Sequence, residues 1–209
     1  MKERLILTPE QLFFLGTVMG AEYINYDYIA ALGEVQRNYI RTHRKCMDEL
    51  ARVGLLRERL SGGVALRPVP SKLLHPVFFG KKESSIEIFT LGKEKRHERI
   101  RFHWSEESIT EVWQNEDQFV FVPGSQDQME ALILGLIRGA ERPMRMGAFL
   151  EESVTRIFTA KRATVGEEST GVVLFEMFGG LYTMDEDEML HALPASQARA
   201  MILAELKGE

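Results

Sequence analysis

The stretch SSIEIFTLGKEKRHERIRFHWSEESITEVWQNEDQFVFVPG, residues 84–124, decides the fold class because apolar and polar side chains alternate along most of it. A period of two residues is typical of a β-strand with one buried face. Four such runs follow one another, separated by the short polar connections GKEK, EE and NED. Connections of this length join neighbouring antiparallel strands. The stretch therefore predicts a four-stranded antiparallel meander.

The second predicted strand has two chemically different faces. Its apolar side chains are predicted to face the core: Ile100, Phe102 and Trp104. Its alternating polar side chains are predicted to face solvent: Arg99, Arg101 and His103. Elsewhere Phe89 and Phe175 are out of phase with the apolar residues beside them. The alternation therefore predicts aromatic side chains on a second sheet face, where a helix of this chain or a partner protein covers them.

Helical patterns precede the meander. Thr8, Pro9 and Gln11 form a capping-box pattern that begins a first helix. A second helix is predicted from about Tyr26 to Val35 and a third from about Arg37 to Val53. Gly54 is predicted to end the third helix as a C-terminal cap in the left-handed conformation.

Helical patterns return after the meander. Helices are predicted over residues 125–139 and from about Met146 to Ala163, the second because its apolar residues recur at helical spacing. A strand pair is predicted to turn at Gly179 and Gly180, and helical pieces are predicted after Asp185 and Pro194. This order predicts one α+β domain over residues 1–209, with a central antiparallel β-sheet flanked by N-terminal and C-terminal helical bundles.

Composition limits the class of protein. The 209 residues carry a formal net charge of -5 and one cysteine, Cys46, which excludes an internal disulfide. The N-terminus has only a short apolar run before Thr8, so we expect a cytoplasmic protein without a signal peptide or a membrane insertion. The sequence contains no metal-protease, paired-cysteine, phosphate-loop or dinucleotide-binding pattern. We therefore expect no enzyme activity and no metal or cofactor.

One segment has a competing interpretation as a DNA-binding element. NYIRTHRKCMDELARVGLL, residues 38–56, is typical of a winged-helix recognition helix, and LSGGVALRP, residues 60–68, of a small strand or wing. The acidic net charge does not favour a nucleic-acid partner. We therefore expect scaffold packing, no nucleic-acid partner, and only weak binding of duplex DNA at physiological salt. The side chains predicted to face inward are Ile40, Met47, Leu50 and Val53, and those predicted to be solvated are Arg41, Arg44 and Lys45.

Four features in chain order resemble the EspG family of type VII (ESX) secretion chaperones. They are LTPEQLFFLGTVMG (residues 7–20), ELARVGLLRERLSGGVALRP (residues 49–68), the meander, and a helical second half closed by a hairpin. The resemblance covers nearly the whole chain. It implies a central antiparallel sheet flanked by helical bundles and a cytosolic chaperone that holds the helical tip of a cognate secreted substrate.

The resemblance implies binding rather than turnover, with a helical-hairpin secreted protein as the partner. On the solvated side of the meander we expect polar contacts to this partner from Arg99, Arg101 and His103. We expect aromatic anchors from Trp113 and Phe175, because large aromatic side chains often dominate interface energies. The alternative function is a winged-helix transcriptional regulator with a ligand-sensing α+β half. The oligomeric state and the identity of the substrate do not follow from the sequence.

Overall fold

The computed structural model describes residues 4–32, 39–60, 62–92, 94–115, 117–144, 149, 151–187 and 189–208. In chain order its strands and α-helices are β1 (Leu5–Leu7), α1 (Pro9–Met19), α2 (Tyr26–Ile29), α3 (Tyr39–Arg52), β2 (Leu56–Glu58), β3 (Val64–Leu66), α4 (Pro68–Phe79), β4 (Lys82–Thr90), β5 (Arg96–Trp104), β6 (Ile109–Asn115), β7 (Gln118–Gly124), α5 (Gln126–Leu136), β8 (Val154–Thr164), β9 (Thr170–Met177), β10 (Gly180–Met184), β11 (Leu190–Leu193) and α6 (Ala195–Lys207).

The backbone separates into two compact units. The first unit is Met1–Lys81 with His103–Pro123, and the second is Lys82–Phe102 with Gly124–Glu209. The chain passes from the second unit into the first within β5, between Phe102 and His103. The prediction of a single domain over residues 1–209 stays a prediction.

Nine strands form a large sheet in the order β1-β7-β6-β5-β4-β8-β9-β10-β11, and β2 pairs with β3 in a separate hairpin. The four meander strands are neighbours in chain order, as the alternating pattern predicts. The architecture is therefore α+β with a large antiparallel sheet, which confirms the predicted class. The flanking helical bundles stay a prediction.

In the first unit, α1 begins with the predicted capping box. The Thr8 hydroxyl accepts a hydrogen bond from the Gln11 amide at 3.3 Å, and the Gln11 side chain accepts one from the Thr8 amide at 3.1 Å. Gln11 also donates to Glu49 Oε2 on α3 at 3.1 Å, which links the two helices. The core beneath them consists of fully buried apolar side chains, among them Leu12, Leu15, Leu50, Phe119 and Phe121.

The α3 helix only partly follows its predicted orientation. Leu50 is buried and Met47 is half-buried, as predicted, whereas Ile40 is 76% exposed and Val53 is 63% exposed. The inward prediction is wrong for these two residues. At 100° per residue Ile40 lies about 80° away from Leu50 around the helix, and Val53 follows the last helical residue. Asn38 lies outside the described residues.

In the second unit, α5 and α6 contact one another and α6 packs on one face of the sheet. That face carries the even-numbered residues of β4, because the Ser84 hydroxyl donates to the Leu206 carbonyl oxygen of α6 at 2.5 Å. The apolar side chains of this face are completely or almost completely buried: Ile86, Ile88, Phe158, Leu174 and Leu181. The C-terminal helix therefore covers the centre of this unit's sheet.

The helix predicted from about Met146 to Ala163 is wrong for the described residues. A short 3-10 turn at Glu151–Ser153 leads directly into β8, Val154–Thr164. The apolar spacing also fits a strand, because Phe158 and Ala160 alternate with exposed Lys161 and half-buried Thr159. Pairing with β4 on one side and β9 on the other satisfies its backbone hydrogen bonds, so tertiary pairing overrides the local helical pattern.

Three further boundaries differ from the predictions. The second helix is Tyr26–Ile29 followed by a 3-10 turn at Ala30–Leu32, and residues 33–35 of the prediction lie outside the described residues. The β9–β10 turn is centred on Phe178 and Gly179, which have φ of 49° and 72°. After Asp185 the chain forms β11 rather than a helix, whereas α6 begins after Pro194 as predicted.

Candidate functional site

The face of the second unit's sheet opposite α6, here called the open face, carries an apolar row. Strand register places Phe89 beside Ile157 and Ile157 beside Phe175. We call these three residues the apolar row. They lie on the sheet face that carries the odd-numbered residues of β4, opposite the face of buried Ile86 and Ile88. The prediction that Phe89 and Phe175 lie on a second face is therefore confirmed.

The apolar row is partly open to solvent. All three of its side chains are half-buried, and Val173 on the same face is 41% exposed. At one end of the row Phe175 contacts the Phe149 ring edge-on, with centroids 5.2 Å apart. Next to it Tyr182 is buried and donates a hydrogen bond to the Met144 carbonyl oxygen at 2.9 Å. At the other end of the row, the His97 imidazole covers one side of the Phe89 ring.

A charged cluster adjoins the Phe89 end of the row. Glu87 Oε1 lies 2.9 Å from an Arg99 guanidinium nitrogen, and Glu87 Oε2 lies 3.1 Å from His97 Nε2. The His97 ring stacks on Phe89 with a centroid distance of 4.3 Å and an interplanar angle of 5°. Burial raises the pKa of Glu87, but hydrogen bonds and charge from Arg99 and a hydrogen bond from His97 outweigh it, so the pKa is lowered overall. The carboxylate is therefore ionised at neutral pH.

The predicted polar contacts differ in burial. Arg99 lies on the open face and is half-buried against Glu87. Arg101 is only 2% exposed, with its Nε 3.5 Å from Glu83 Oε1. His103 is 4% exposed, and its Nε2 lies 2.5 Å from the Tyr28 hydroxyl of α2. The expectation that all three face solvent is wrong for Arg101 and His103, which are buried beside the polar partners Glu83 and Tyr28.

The two predicted aromatic anchors lie in different units. Phe175 belongs to the apolar row of the second unit, whereas Trp113 belongs to β6 in the first unit. The Trp113 indole is half-buried and donates a hydrogen bond to the Glu111 carboxylate. Their role in binding a partner stays a prediction.

Sequence reasoning placed Phe89 on the second sheet face but did not choose it as a site residue, and it missed Glu87, His97 and Ile157 entirely. Ile157 was assigned to a helix, so its position between Phe89 and Phe175 did not emerge. His97 precedes the apolar residues of its strand, and only the β4–β5 fold-back brings it onto Phe89. If residues 154–164 had been predicted as a strand, alternation would have placed Ile157 on one face of it. That strand could then have been paired with the strands of Phe89 and Phe175, and the row would have emerged.

Metal-ligating groups and the single cysteine are the other candidate features of the described residues. No group of three or more histidine, cysteine, aspartate or glutamate side chains in that part of the chain could hold a metal ion. Burial, together with the charges of Glu49 and Glu10, raises the pKa of the Cys46 thiol to about 11, so the thiol is protonated at neutral pH. A search of the same residues for a helix with the length and apolarity of a membrane span found none.

Comparison with known proteins identifies the fold. No protein-family model and no curated protein matches the sequence. Among solved structures, the chain is similar to the Mycobacterium tuberculosis type VII secretion system chaperone EspG5, solved in complex with the PE25–PPE41 dimer. The match has a TM-score of 0.62 and 7% sequence identity, and covers 98% of this chain and 95% of that chain. The structure therefore confirms the predicted resemblance at the level of the fold. A structural likeness at 7% sequence identity shows the fold alone.

Proposed function

We propose that this chain is a cytoplasmic type VII secretion chaperone or adaptor that binds the helical tip of a cognate secreted protein and shields it. The observation that carries the proposal is the fold, which matches a chaperone of such a system over 98% of the chain. That chaperone was solved with a dimeric protein partner, PE25–PPE41. A chaperone that binds an apolar tip lowers the free concentration of its self-associating form by mass action.

The open face is the proposed docking surface. Three half-buried apolar side chains in adjacent strands supply a continuous strip that a helical tip buries on binding. Arg99, His97 and the ionised Glu87 border this strip and supply polar contacts that select the partner. Phe175 is retained as an anchor.

The other predicted contact residues take different parts in this proposal. Arg101 and His103 are buried, so they support β5 rather than meet the partner directly. Trp113 is retained as a separate predicted anchor in the first unit.

The test is affinity capture from a native lysate of the source cells, followed by mass spectrometry. The wild-type chain is expected to enrich a small helical secreted protein. Phe89→Asp is expected to lose at least nine-tenths of this partner, because burial of a charge against the partner's apolar tip is unfavourable. The matched control is Val165→Asp, since Val165 is 78% exposed and lies in the loop between β8 and β9.

Equal capture by both variants would place the docking site elsewhere. The thermal unfolding midpoint of each variant shows whether a loss of capture comes from the changed surface or from unfolding of the protein. If the wild-type chain enriches no secreted protein and no secretion component, the chaperone proposal itself is wrong.

A further inference from the structure

One segment of the first unit carries an excess of positive charge, although the chain as a whole is acidic. Residues 39–67 contain seven arginine or lysine side chains and three acidic ones, a net charge of +4, whereas the whole chain has -5. All seven basic side chains are exposed: Arg41, Arg44, Lys45, Arg52, Arg57, Arg59 and Arg67. We call these seven residues the basic surface. Its local charge is opposite to that of the chain as a whole.

The arginines of the basic surface are not neutralised within the protein. Lys45 pairs with Glu49 at 3.8 Å, but none of the six arginines forms an ion pair with any described residue. Other exposed or half-buried arginines of the chain do form such pairs, for example Arg96 with Glu94 and Arg156 with Glu176. Six unpaired guanidinium groups in 29 residues therefore remain available to an external anion.

The basic residues are distributed over a helix and an adjoining hairpin. On α3, Arg41, Arg44, Lys45 and Arg52 recur at spacings of three, four and seven residues, so they share one helix face. Two acidic residues oppose this face, Asp48 on it and Glu49 at its edge, and the face lies away from buried Cys46 and Leu50. The β2–β3 hairpin follows directly and carries Arg57 and Arg59 next to its turn.

We propose that the basic surface binds duplex DNA through the phosphate backbone, without sequence specificity. An exposed helix of 14 residues is about 21 Å long and fits along a major groove, while a two-stranded hairpin beside it reaches the flanking phosphates. The basic side chains are spread along the helix and the hairpin, which suits the regularly spaced phosphates of a duplex. A protein partner would instead be bound by a few residues clustered at the centre of an interface. This binding goes beyond the proposed chaperone function and does not depend on it.

The proposal revises the expectation of no nucleic-acid partner, which rested on the net charge of the whole chain. Phosphate contacts depend on the charge within a Debye length, about 8 Å at physiological salt, so distant acidic residues are screened. Non-specific DNA binding is nevertheless weak at physiological salt. The expectation of weak binding there therefore stands.

The test is fluorescence anisotropy of the full chain with a labelled 25-base-pair duplex of arbitrary sequence, about two and a half helical turns. If about four phosphates are contacted, raising salt from about 50 to 200 mM should weaken binding roughly 100-fold. The double variant Arg41→Ala, Arg44→Ala should reduce the slope of log affinity against log salt by about 2. The double variant Arg57→Ala, Arg59→Ala, which removes two cations of the hairpin, should reduce this slope by a similar amount.

The matched control is Lys95→Ala with Arg142→Ala, two exposed basic residues of the second unit. It should bind and respond to salt as the wild type does, and all variants should keep the wild-type thermal midpoint. The proposal is overturned if the wild type does not bind at about 50 mM salt, or if the control and the arginine variants lose affinity equally. Binding to vesicles containing phosphatidylserine without binding to the duplex would also overturn it, in favour of a lipid surface.

Discussion

The His97 imidazole lies flat against the Phe89 ring, with centroids 4.3 Å apart and planes inclined by 5°. The same imidazole is held at 3.1 Å from the Glu87 carboxylate. One side chain thus joins the apolar row to the charged cluster at its edge. In the proposed complex, a helix tip docked on the row would meet an aromatic surface and a hydrogen-bonding group held in place beside it.

Glu87→Gln should lower the free energy of unfolding by about 1 to 3 kcal/mol at pH 7, because hydrogen bonds to an ionised carboxylate are lost. Folding lowers the pKa of Glu87, so its ionised form stabilises the protein above the unfolded pKa of about 4.3. This contribution is lost as the pH falls through the still lower folded pKa. Urea unfolding at several pH values measures it. A difference from wild type that grows toward low pH would contradict the assignment.

Glu94→Gln is the control for the same measurement. Glu94 is exposed and pairs with Arg96 at the surface. Its substitution should change the free energy of unfolding by no more than about 0.5 kcal/mol at any pH.

Arg101→Glu should destabilise the protein by about 3 to 5 kcal/mol, because it replaces a buried cation beside Glu83 with a second carboxylate. Thermal or denaturant unfolding checks this. Lys95→Glu, at an exposed position of the β4–β5 connection, should cost no more than about 0.5 kcal/mol. An Arg101→Glu protein as stable as wild type would show that Arg101 is solvated, as the strand pattern alone suggested.

Phe158→Ala and Phe89→Ala form a matched pair on opposite faces of the sheet. Phe158 is fully buried under α6, so its truncation should cost about 3 to 5 kcal/mol. Phe89 is half-buried on the open face, and its truncation should cost about 1 to 2 kcal/mol. Equilibrium unfolding in urea measures both. The reverse order would contradict the assignment of the two faces.

Thr8→Ala should cost about 1 kcal/mol, because the hydroxyl that caps the first turn of α1 is lost. Thr17→Ala, near the end of the same helix, is the control. The exposed Thr17 hydroxyl only donates a hydrogen bond to the Phe13 carbonyl oxygen one turn earlier. Removing this hydroxyl should leave the free energy of unfolding unchanged or raise it slightly. Comparable losses of stability in the two variants would speak against the cap.

Cys46 should react slowly with a disulfide reagent in the native protein and fast after denaturation. Cys46 is 3% exposed, and with a thiol pKa of about 11 only about one molecule in a thousand carries a thiolate at pH 8. Labelling with and without concentrated guanidinium chloride measures the ratio of rates. Native labelling as fast as that of the denatured chain would show that the thiol is accessible.

Sequence patterns predicted those elements whose causes lie within a few residues. The capping box of α1 depends on Thr8 and Gln11 three positions apart, and both hydrogen bonds form. Meander strands follow from alternation and short connections, and they are neighbours in the sheet. The second face for Phe89 and Phe175 follows from the same alternation. These features were determined by the sequence alone because local geometry enforces them.

Tertiary structure decided the features that depend on distant partners. Residues 154–164 carry apolar spacing compatible with a helix or a strand, and pairing with β4, some 70 residues earlier, makes them a strand. Arg101 occupies a position that alternation assigns to solvent, yet it is buried and lies beside half-buried Glu83 of the neighbouring strand. The apolar row exists only where β4, β8 and β9 meet in register. Alternation along one strand predicts on which face of the sheet a side chain lies. Whether that face is buried depends on which other parts of the chain pack against it.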